Sequence, residues 1–290
     1  MINEITIVTA FFDIGRDNWN QEFKRDVNFY IHSFLHFFQY PYSMVCYIDD
    51  RYIEQVIQEY EKSPYKNKRF IPINREWLNE NINAWKLLSI DQTIITSEQY
   101  KSILENRLRF MYPDGIPEVN RRNHLFPENE WPEYNAINHS KIDFISNSII
   151  NGYITTQYTC WCDFGYFNSQ HNGNITTFPT SLLDTNKFNK NKISFLLRNP
   201  VNERDKNMLY TLVIAPEVFT GTFFVGPSLL MLKMQKLYHE SVKELYRNGI
   251  SDDDQHVYLR CYLKEPDFFD IHIIQSEEWP RGLTYFSSNN

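Results

Sequence analysis

The chain has 290 residues, of which 42% are hydrophobic and 22% are charged, as in an ordinary globular protein. Its formal net charge of −7 argues against a nucleic-acid partner, because nucleic-acid binders usually carry a basic stripe. No apolar run reaches the roughly 18 residues that a membrane span needs, and the N-terminus lacks the basic and apolar regions of a signal peptide. We therefore expect a cytoplasmic protein without a membrane span.

The first quarter of the chain alternates between apolar strands and amphipathic helices. Strands are predicted over 5–12, 40–50 and 68–74, and helices over 19–38 and 51–62. The apolar residues of the first helix recur at intervals that fit a single helical face. Strands that alternate with helices in this way typically form a parallel sheet, so this part of the chain predicts an α/β fold.

The middle of the chain is predicted to be helical over 76–111 and again over 133–150. Between these helices lies a polar segment, 112–135, that contains four prolines. We predict a long loop or insertion here, and long ordered loops are often functional.

The remainder of the chain is predicted to add further strands and two helices to the same domain. The predicted strands are 153–167, 192–199, 208–215, 218–226 and 267–274. A loop rich in Asn and Thr is predicted over 168–191, and helices over 227–249 and 251–263. The longer helix has proline at its start and glycine at its end, which is the usual asymmetry of helix termini.

A single carboxylate, Asp163, follows a strand in the stretch WCDFGYF (161–167). Ligands of open α/β sheets bind beyond the carboxyl ends of the strands, where a carboxylate can hold a divalent cation that clamps a diphosphate. Gly165 would let the backbone approach such a ligand closely. The alternative is that Asp163 caps a turn, because Asp and Gly are common turn residues.

Three consecutive carboxylates, Asp252 to Asp254, stand at the start of the helix predicted over 251–263. One acid is enough to cap a helix. Crowded like charges raise pKa values, which suits a general base. Both interpretations, capping and catalysis, remain open from the sequence.

Two further stretches combine small or polar residues with apolar ones. In FTGTFFVGP (219–227), Gly221 and Thr222 either form a bulge or let the backbone approach a substrate. In YNAINHSKIDF, Asn138 and Lys141 are three residues apart and share one helical face. They could reach a sugar or a diphosphate there, or simply be solvated.

The exit of the first strand, TAFFDIGR (9–16), lies where parallel α/β folds often contact a nucleotide. The chain has neither the GxGxxG of a dinucleotide-binding fold nor the GxxxxGK[ST] of a P-loop. Arg16 could pair with a phosphate at this exit or be solvated at the surface.

Three of these stretches together resemble the HtrL/YibB-like family of bacterial proteins: TAFFDIGR with Trp19, PEYNAINHSKIDFI (132–145) and WCDFGY (161–166). That family is similar to nucleotide-sugar glycosyltransferases of the GT-A fold. The resemblance implies an α/β, GT-A-like fold with a mixed, mainly parallel sheet flanked by helices. It also implies one glycosyltransferase-like domain over 1–290, with the Pro-rich insertion near 112–135.

The resemblance further implies roles for individual residues. The residues expected to line the nucleotide and diphosphate of the donor are Thr9, Ala10, Phe11, Asp13, Arg16, Asn138 and Lys141. The residues expected to bind substrate are Trp161, Gly221, Thr222 and Gln255. Asp163 is expected to hold a divalent metal ion, Mn²⁺ or Mg²⁺, although GT-A enzymes usually carry an Asp-x-Asp motif and this chain has a single Asp. Asp254 or Asp253 is expected to supply the catalytic base.

The predicted function is therefore the transfer of a sugar from a nucleotide diphosphate donor, expected to be a UDP-sugar, to a glycan or protein acceptor. A first alternative is a metal-dependent phosphohydrolase or nucleotidyltransferase, which would release monophosphate or pyrophosphate. A second alternative is a non-catalytic carbohydrate-binding protein, whose aromatic side chains would stack on sugars. Binding by such a protein would be indifferent to Asp163→Ala.

Overall fold

The computed structural model describes residues 4–19, 23–113, 126–167, 182–274 and 282–287. The strands of these residues are β1 (Ile5–Phe11), β2 (Ser43–Asp49), β3 (Lys68–Ile73), β4 (Tyr158–Cys162), β5 (Ile193–Leu197), β6 (Phe219–Pro227) and β7 (Phe269–Ile273). They form one seven-stranded sheet with the order β3-β2-β1-β4-β6-β5-β7.

Helices flank this sheet, which confirms the predicted α/β class. The α-helices are α1 (Val27–Leu35), α2 (Ile53–Tyr60), α3 (Arg75–Asn81), α4 (Asn83–Lys86), α5 (Leu88–Thr96), α6 (Glu98–Met111), α7 (Pro127–Glu130), α8 (Pro132–His139), α9 (Lys141–Ile150), α10 (Met208–Ile214), α11 (Ser228–Arg247), α12 (Asp254–Lys264) and α13 (Gly282–Tyr285). Within the described ranges, none of the helices combines the length and the apolar composition that a membrane crossing needs.

Strand direction brings the carboxyl ends of six strands, all except β6, to one edge of the sheet. β1 pairs in parallel with β2 and with β4, and β2 pairs in parallel with β3. β6 runs antiparallel to β4 and to β5, so its amino-terminal end lies at that same edge. The chain builds outward from β1 to β3 and then crosses to β4 on the other side of β1. In open α/β sheets, ligands bind at such a switch point, just beyond the strand ends.

The sheet is buried on both faces because its central strands are apolar on both sides. Val8 and Val45 belong to one cluster of buried residues, which includes side chains of α9, α11 and α12. Ile7 and Cys46 belong to a second cluster, which includes side chains of α1, α2 and α13. Successive residues of a strand point to opposite faces. The near-continuous apolar runs in the sequence therefore indicate strands covered on both sides.

The segment 208–215, which its apolar residues predict to be a strand, is instead the helix α10. The side chain of Asn207 accepts hydrogen bonds from the backbone N–H groups of Leu209 and Tyr210, at 3.0 and 3.2 Å. Such bonds satisfy amide groups that lack partners at a helix start. The strand prediction was wrong because a short apolar run does not distinguish a buried helix from a buried strand.

The first predicted helix, 19–38, is shorter than its pattern indicates. The α-helix begins at Val27, where the side chain of Asp26 caps it by accepting from the backbone N–H of Phe29 at 2.7 Å. Residues 20–22 lie outside the described ranges.

The described part of the predicted insertion at 112–135 is largely helical. α7 begins at Pro127 and α8 begins at Pro132, because proline suits the first turn of a helix, where its missing N–H would have had no partner. The loop prediction was therefore wrong for this part. Residues 114–125, and most of the loop predicted over 168–191, lie outside the described ranges.

Candidate functional site

A cavity of about 510 Å³ opens at the edge of the sheet where β1 and β4 end. Its walls come from the exits of these two strands, from the α8–α9 junction, and from the first turn of α12. The volume lies within the range of roughly 300–1,000 Å³ that is typical of small-molecule sites. The cavity therefore stands at the switch point of the sheet, where the topology predicts a ligand.

The cavity collects most of the residues that the sequence singled out as candidates. Those that line it are Ala10, Phe11, Asp13, Arg16, Asn138, Lys141, Trp161, Asp163, Thr222, Asp253 and Gln255. These residues come from five separate stretches of the chain. The fold brings together segments whose proximity could not be read from the sequence.

Three of the candidates do not line the cavity. Thr9 is fully buried within β1, so the expectation that it contacts a nucleotide does not fit its position. Asp254 is also buried, and it lies behind the wall of the cavity in contact with Lys141. Gly221 packs against Asp254 and takes part only through its backbone.

Lys141 is the centre of the charged part of the site. Its Nζ atom lies 2.8 Å from Oδ2 of Asp254 and 3.2 Å from Oδ1 of Asp163. It also donates to the backbone carbonyl of Gly221 at 2.9 Å. The side chain of Lys141 is only 6% exposed. Although burial lowers the pKa of Lys141, the two carboxylates raise it above its ordinary value, so the ammonium group is charged at neutral pH.

Local structure fixes the partners of Lys141 around it. Asp163 is the first residue after β4, and its backbone N–H donates to the carbonyl of Thr222 on β6 at 3.0 Å. Its Oδ1 accepts a second hydrogen bond, from the indole Nε1 of Trp161 at 2.6 Å. Asp254 is the first residue of α12, whose N-terminal turn is capped by Asp253. The structure confirms the capping interpretation for Asp253, and it pairs Asp254 with Lys141. A catalytic role of the acidic stretch stays a prediction.

Gly221 allows strand β6 and the first turn of α12 to approach each other closely. A Cβ atom there would lie 2.8 Å from Oδ1 of Asp254, closer than two such atoms can pack. From the sequence, two interpretations were open at this position: a bulge, or a close approach of the backbone to a substrate. The structure shows that the close neighbour is Asp254 itself.

Arg16 also lines the cavity, within a group of aromatic rings. Its guanidinium carbon stands 4.9 Å from the ring centre of Trp19 and 5.6 Å from that of Tyr134. Its Nη1 donates to the hydroxyl of Tyr30 at 2.5 Å. Among the described residues, no carboxylate forms a salt bridge with Arg16. Its positive charge is therefore held in place by aromatic faces and by a hydrogen bond to the carbonyl of Phe23.

The first turn of α12 and the neighbouring α7 form an acidic wall of the cavity. Burial, followed by the charges of Asp254 and Asp252, raises the pKa of Asp253 to about 7. Burial, followed by the charge of Asp253, raises the pKa of Glu128 to about 8. Burial lowers the pKa of His256, but Asp252, whose carboxylate lies 2.6 Å from its Nδ1, outweighs burial and raises it to about 9.

Two groups of side chains could be considered as ligands of a metal ion. Asp252, Asp253 and His256 offer ligand atoms that lie within 4.8 Å of one another. Nδ1 of His256 and Oδ2 of Asp252 already hydrogen-bond each other at 2.6 Å, so an ion bound to both atoms would have to replace this bond. The second group is the expected one around Asp163, where the ammonium of Lys141 already lies between the carboxylates. The expectation of a metal ion at Asp163 stays a prediction that this arrangement does not favour.

Several residues that line the cavity were not singled out from the sequence. They are Tyr30, Arg107, Glu128, Tyr134 and His256. His256 carried a signal, since it follows Asp252 by four residues and so shares its side of a helical turn. Arg107 lies on α6, before the Pro-rich segment, and Glu128 lies on α7, within that segment. Neither residue was singled out, because both meet the cavity only through tertiary packing.

The fold and the site together define an α/β protein with a charged cavity at the switch point of a mostly parallel sheet. The chain belongs to the family described as "Bacterial protein of unknown function (HtrL_YibB)", whose model matches residues 3–288. Protein HtrL of Escherichia coli (strain K12) is 25% identical over 302 aligned residues, which cover the whole of this chain and 94% of that relative. The family indicated by the three sequence stretches is thereby confirmed.

Proposed function

We propose that this protein is a glycosyltransferase of GT-A type, which moves a sugar from a nucleotide diphosphate donor to a glycan or protein acceptor. The observation that carries the proposal is the buried charge cluster of Lys141, Asp163 and Asp254 beside a cavity at the switch point of the sheet. A leaving diphosphate is stabilised by positive charge fixed in advance. The seven-stranded, mostly parallel sheet supports the same proposal, because such sheets bind nucleotides at this place.

The exit of β1 suits the nucleoside end of a donor, for which a UDP-sugar is the expected identity. Ala10, Phe11 and Asp13 line the cavity there. Asp13 is oriented by the hydroxyl of Tyr52, which donates to its Oδ2 at 3.0 Å. A carboxylate held in this way can accept a hydrogen bond from a ribose or base. Arg16, further along the same wall, supplies positive charge for the diphosphate.

Asp253 is better suited than Asp254 to act as the general base. It lines the cavity, and burial with the neighbouring carboxylates brings its pKa to about 7, close to the ideal for a base at neutral pH. Asp254 is instead engaged by the ammonium of Lys141. In the proposed step, Asp253 takes the proton of the acceptor hydroxyl, and the acceptor oxygen bonds to the anomeric carbon. The bond from that carbon to the diphosphate oxygen breaks, and the nucleoside diphosphate leaves.

The first test is the thermal unfolding midpoint with UDP, GDP, CDP and ADP, each with Mn²⁺ and with a chelator. A ligand that binds only the folded state adds about 2.7 kcal/mol of stability at a hundred times its dissociation constant. We expect one nucleotide to raise the midpoint, and Arg16→Ala to reduce the rise. Asp17→Asn, which alters an exposed neighbour, is the matched control and should bind like the wild type. If no nucleotide raises the midpoint, the proposal is rejected.

The products distinguish this activity from the two alternatives. A glycosyltransferase releases nucleoside diphosphate only when an acceptor takes the sugar. A phosphohydrolase or nucleotidyltransferase would release monophosphate or pyrophosphate from the same donor. A carbohydrate-binding protein would bind glycans with no turnover, and Asp163→Ala would leave its binding unchanged.

A further inference from the structure

The position at which a divalent cation would join Asp163 to Asp254 is filled by an ammonium group. Mn²⁺ and Mg²⁺ sites need several oxygen ligands with lone pairs directed at the ion. Here Nζ of Lys141 lies 3.2 Å from one oxygen of Asp163 and 2.8 Å from one oxygen of Asp254. The same oxygen of Asp163 also accepts the indole N–H of Trp161. These residues therefore do not fit a divalent cation held between the two carboxylates.

The ammonium of Lys141 is already surrounded by oxygen atoms of the protein. It donates a hydrogen bond to the carbonyl of Gly221 at 2.9 Å, and it forms ion pairs with the carboxylates of Asp254 and Asp163. A metal ion that contacted Asp163 from the cavity would lie next to this buried positive charge. Repulsion between like charges is strong where water is largely excluded, so the lysine disfavours a second cation.

We propose that Lys141 replaces the divalent metal ion in this site, and that the site binds the diphosphate of its donor without a metal cofactor. The inference rests on the proposed function, since it concerns how the same cavity holds the same class of ligand. Under this proposal, the Mn²⁺ or Mg²⁺ expected from the sequence is not needed. Its place is taken by a positive charge that belongs to the chain and is present before the nucleotide binds.

Two arginines provide further positive charge for the diphosphate. Both Arg16 and Arg25 line the cavity, and they are close enough that, after burial, the charge of Arg16 lowers the pKa of Arg25. Burial raises the pKa of Tyr30, and the charges of Arg16, Arg25 and Asp163 act on the same hydroxyl. Arg16 donates to the hydroxyl of Tyr30 at 2.5 Å, and both arginines line the same cavity as Asp163. Guanidinium groups bind phosphate oxygens in paired hydrogen bonds, a geometry that the single ammonium of Lys141 cannot supply.

The decisive experiment compares nucleotide binding by the wild-type protein in excess EDTA and in Mn²⁺, with UDP, GDP, CDP and ADP as free diphosphates. We expect the same nucleotide to raise the unfolding midpoint equally in both conditions. A rise that appears only with Mn²⁺ would overturn this inference and leave the proposed function standing. If no nucleotide raises the midpoint in either condition, the proposed function fails and this inference fails with it.

A lysine variant tests the replacement directly. Lys141→Ala opens a space between the two carboxylates, so we expect its nucleotide binding to be weak in EDTA and to be restored by Mn²⁺. Lys141→Met combined with Asp254→Asn keeps the space filled and removes one metal ligand. This double variant avoids an unpaired buried charge, and Mn²⁺ should not restore its binding. Restoration by Mn²⁺ in both variants, or in neither, contradicts the replacement.

Lys68→Met is the matched control for the loss of a buried lysine. Lys68 is 8% exposed and donates to the carbonyl of Tyr40 at 2.9 Å, on the outer strand β3 and away from the cavity. Its variant should show the wild-type rise in midpoint in EDTA and in Mn²⁺. A loss of binding in this control would mean that the loss in Lys141→Ala reflects general destabilisation.

Discussion

At the scale of single residues, Gly221 leaves the space in which Asp254 meets Lys141. The carboxylate of Asp254 occupies the volume that a side chain at position 221 would need, and the carbonyl of Gly221 accepts a hydrogen bond from the same lysine. Glycine is therefore required here for space, because β6 and the first turn of α12 approach each other closely.

We predict that Gly221→Ala displaces Asp254 and weakens nucleotide binding. Overpacking of this kind costs about 1–3 kcal/mol, to be measured by urea unfolding, with binding followed by the nucleotide-induced rise in midpoint. Gly165→Ala is the milder comparison, since its added Cβ would lie 3.3 Å from a ring carbon of Tyr30. Equal losses in the two variants would argue against a special role for the contact with Asp254.

Glu128, like Asp253, carries a carboxyl group whose protonation should make the stability of the fold depend on pH. Burial and then Asp253 raise its pKa to about 8 in the folded protein. The folded state thus binds a proton that the unfolded state has released. The stability that this proton contributes is fully present below about pH 4.5 and is lost as the pH rises through about 8.

We predict that Glu128→Gln removes the contribution of Glu128 to this pH dependence and leaves that of Asp253. Relative to the wild type, the variant should gain stability steadily between about pH 5 and 8, at about 1.4 kcal/mol per unit of pKa shift. Urea unfolding at several pH values measures the difference. For Glu80→Gln, an exposed change on α3, the unfolding free energy should vary with pH as it does in the wild type. Parallel curves for Glu128→Gln as well would show that this carboxyl is not protonated in the fold.

At the scale of elements, α10 shows how a capping residue and tertiary context decide between two structures. The run MLYTLVI contains β-branched and apolar residues that favour a strand, and Thr211 and Leu212 are buried. The preceding Asn207 satisfies two backbone amides of the first turn, which only a helical start presents together. The segment therefore forms a helix, because both its N-cap and the burial of its apolar side chains are compatible with that structure.

We predict that Asn207→Ala destabilises the protein by about 1 kcal/mol, the typical cost of losing an N-cap. Asn207→Asp keeps the acceptor oxygen and should retain most of the stability. Both values come from urea unfolding, and far-ultraviolet circular dichroism should show no gain of strand. A loss in Asn207→Asp as large as in Asn207→Ala would exclude the cap as the cause.

At the scale of the whole molecule, Lys141 joins elements from both halves of the chain. It begins α9, and its three partners lie after β4, on β6, and at the start of α12. These elements also contribute to one buried cluster on the same face of the sheet. The charged cluster thus holds α9, β4, β6 and α12 together, in addition to forming part of the candidate site.

We predict that Lys141→Ala destabilises the domain by about 3–5 kcal/mol, because Asp254 is left buried without its positive partner. Adding Asp254→Asn should recover a large part of the loss, since the unpaired charge is then gone. Urea unfolding of the two single variants and the double variant forms a double-mutant cycle. If the losses of unfolding free energy in the two single variants simply add in the double variant, Lys141 and Asp254 do not stabilise the domain through their ion pair.

The sequence by itself determined the α/β class, most strands, and the edge of the sheet at which the site lies. These follow from local patterns, because apolar runs and turn residues reflect the chain's own geometry over a few residues. It also marked Asp163, Lys141 and Asp253, since polar residues just after a buried strand or at a helix start stand out from their surroundings. Its local patterns failed at 208–215, where strand and helix share the same apolar signal.

Only the tertiary structure decided which of the marked residues meet. Lys141 and Gly221 are 80 residues apart in the chain, and no local pattern specifies a contact over that distance. The fold also decided that Asp254 pairs with a lysine and that Asp253 faces the cavity, although the two are neighbours in sequence. The physical reason is that burial and neighbouring charge set the state of each carboxylate, and both depend on how distant elements pack.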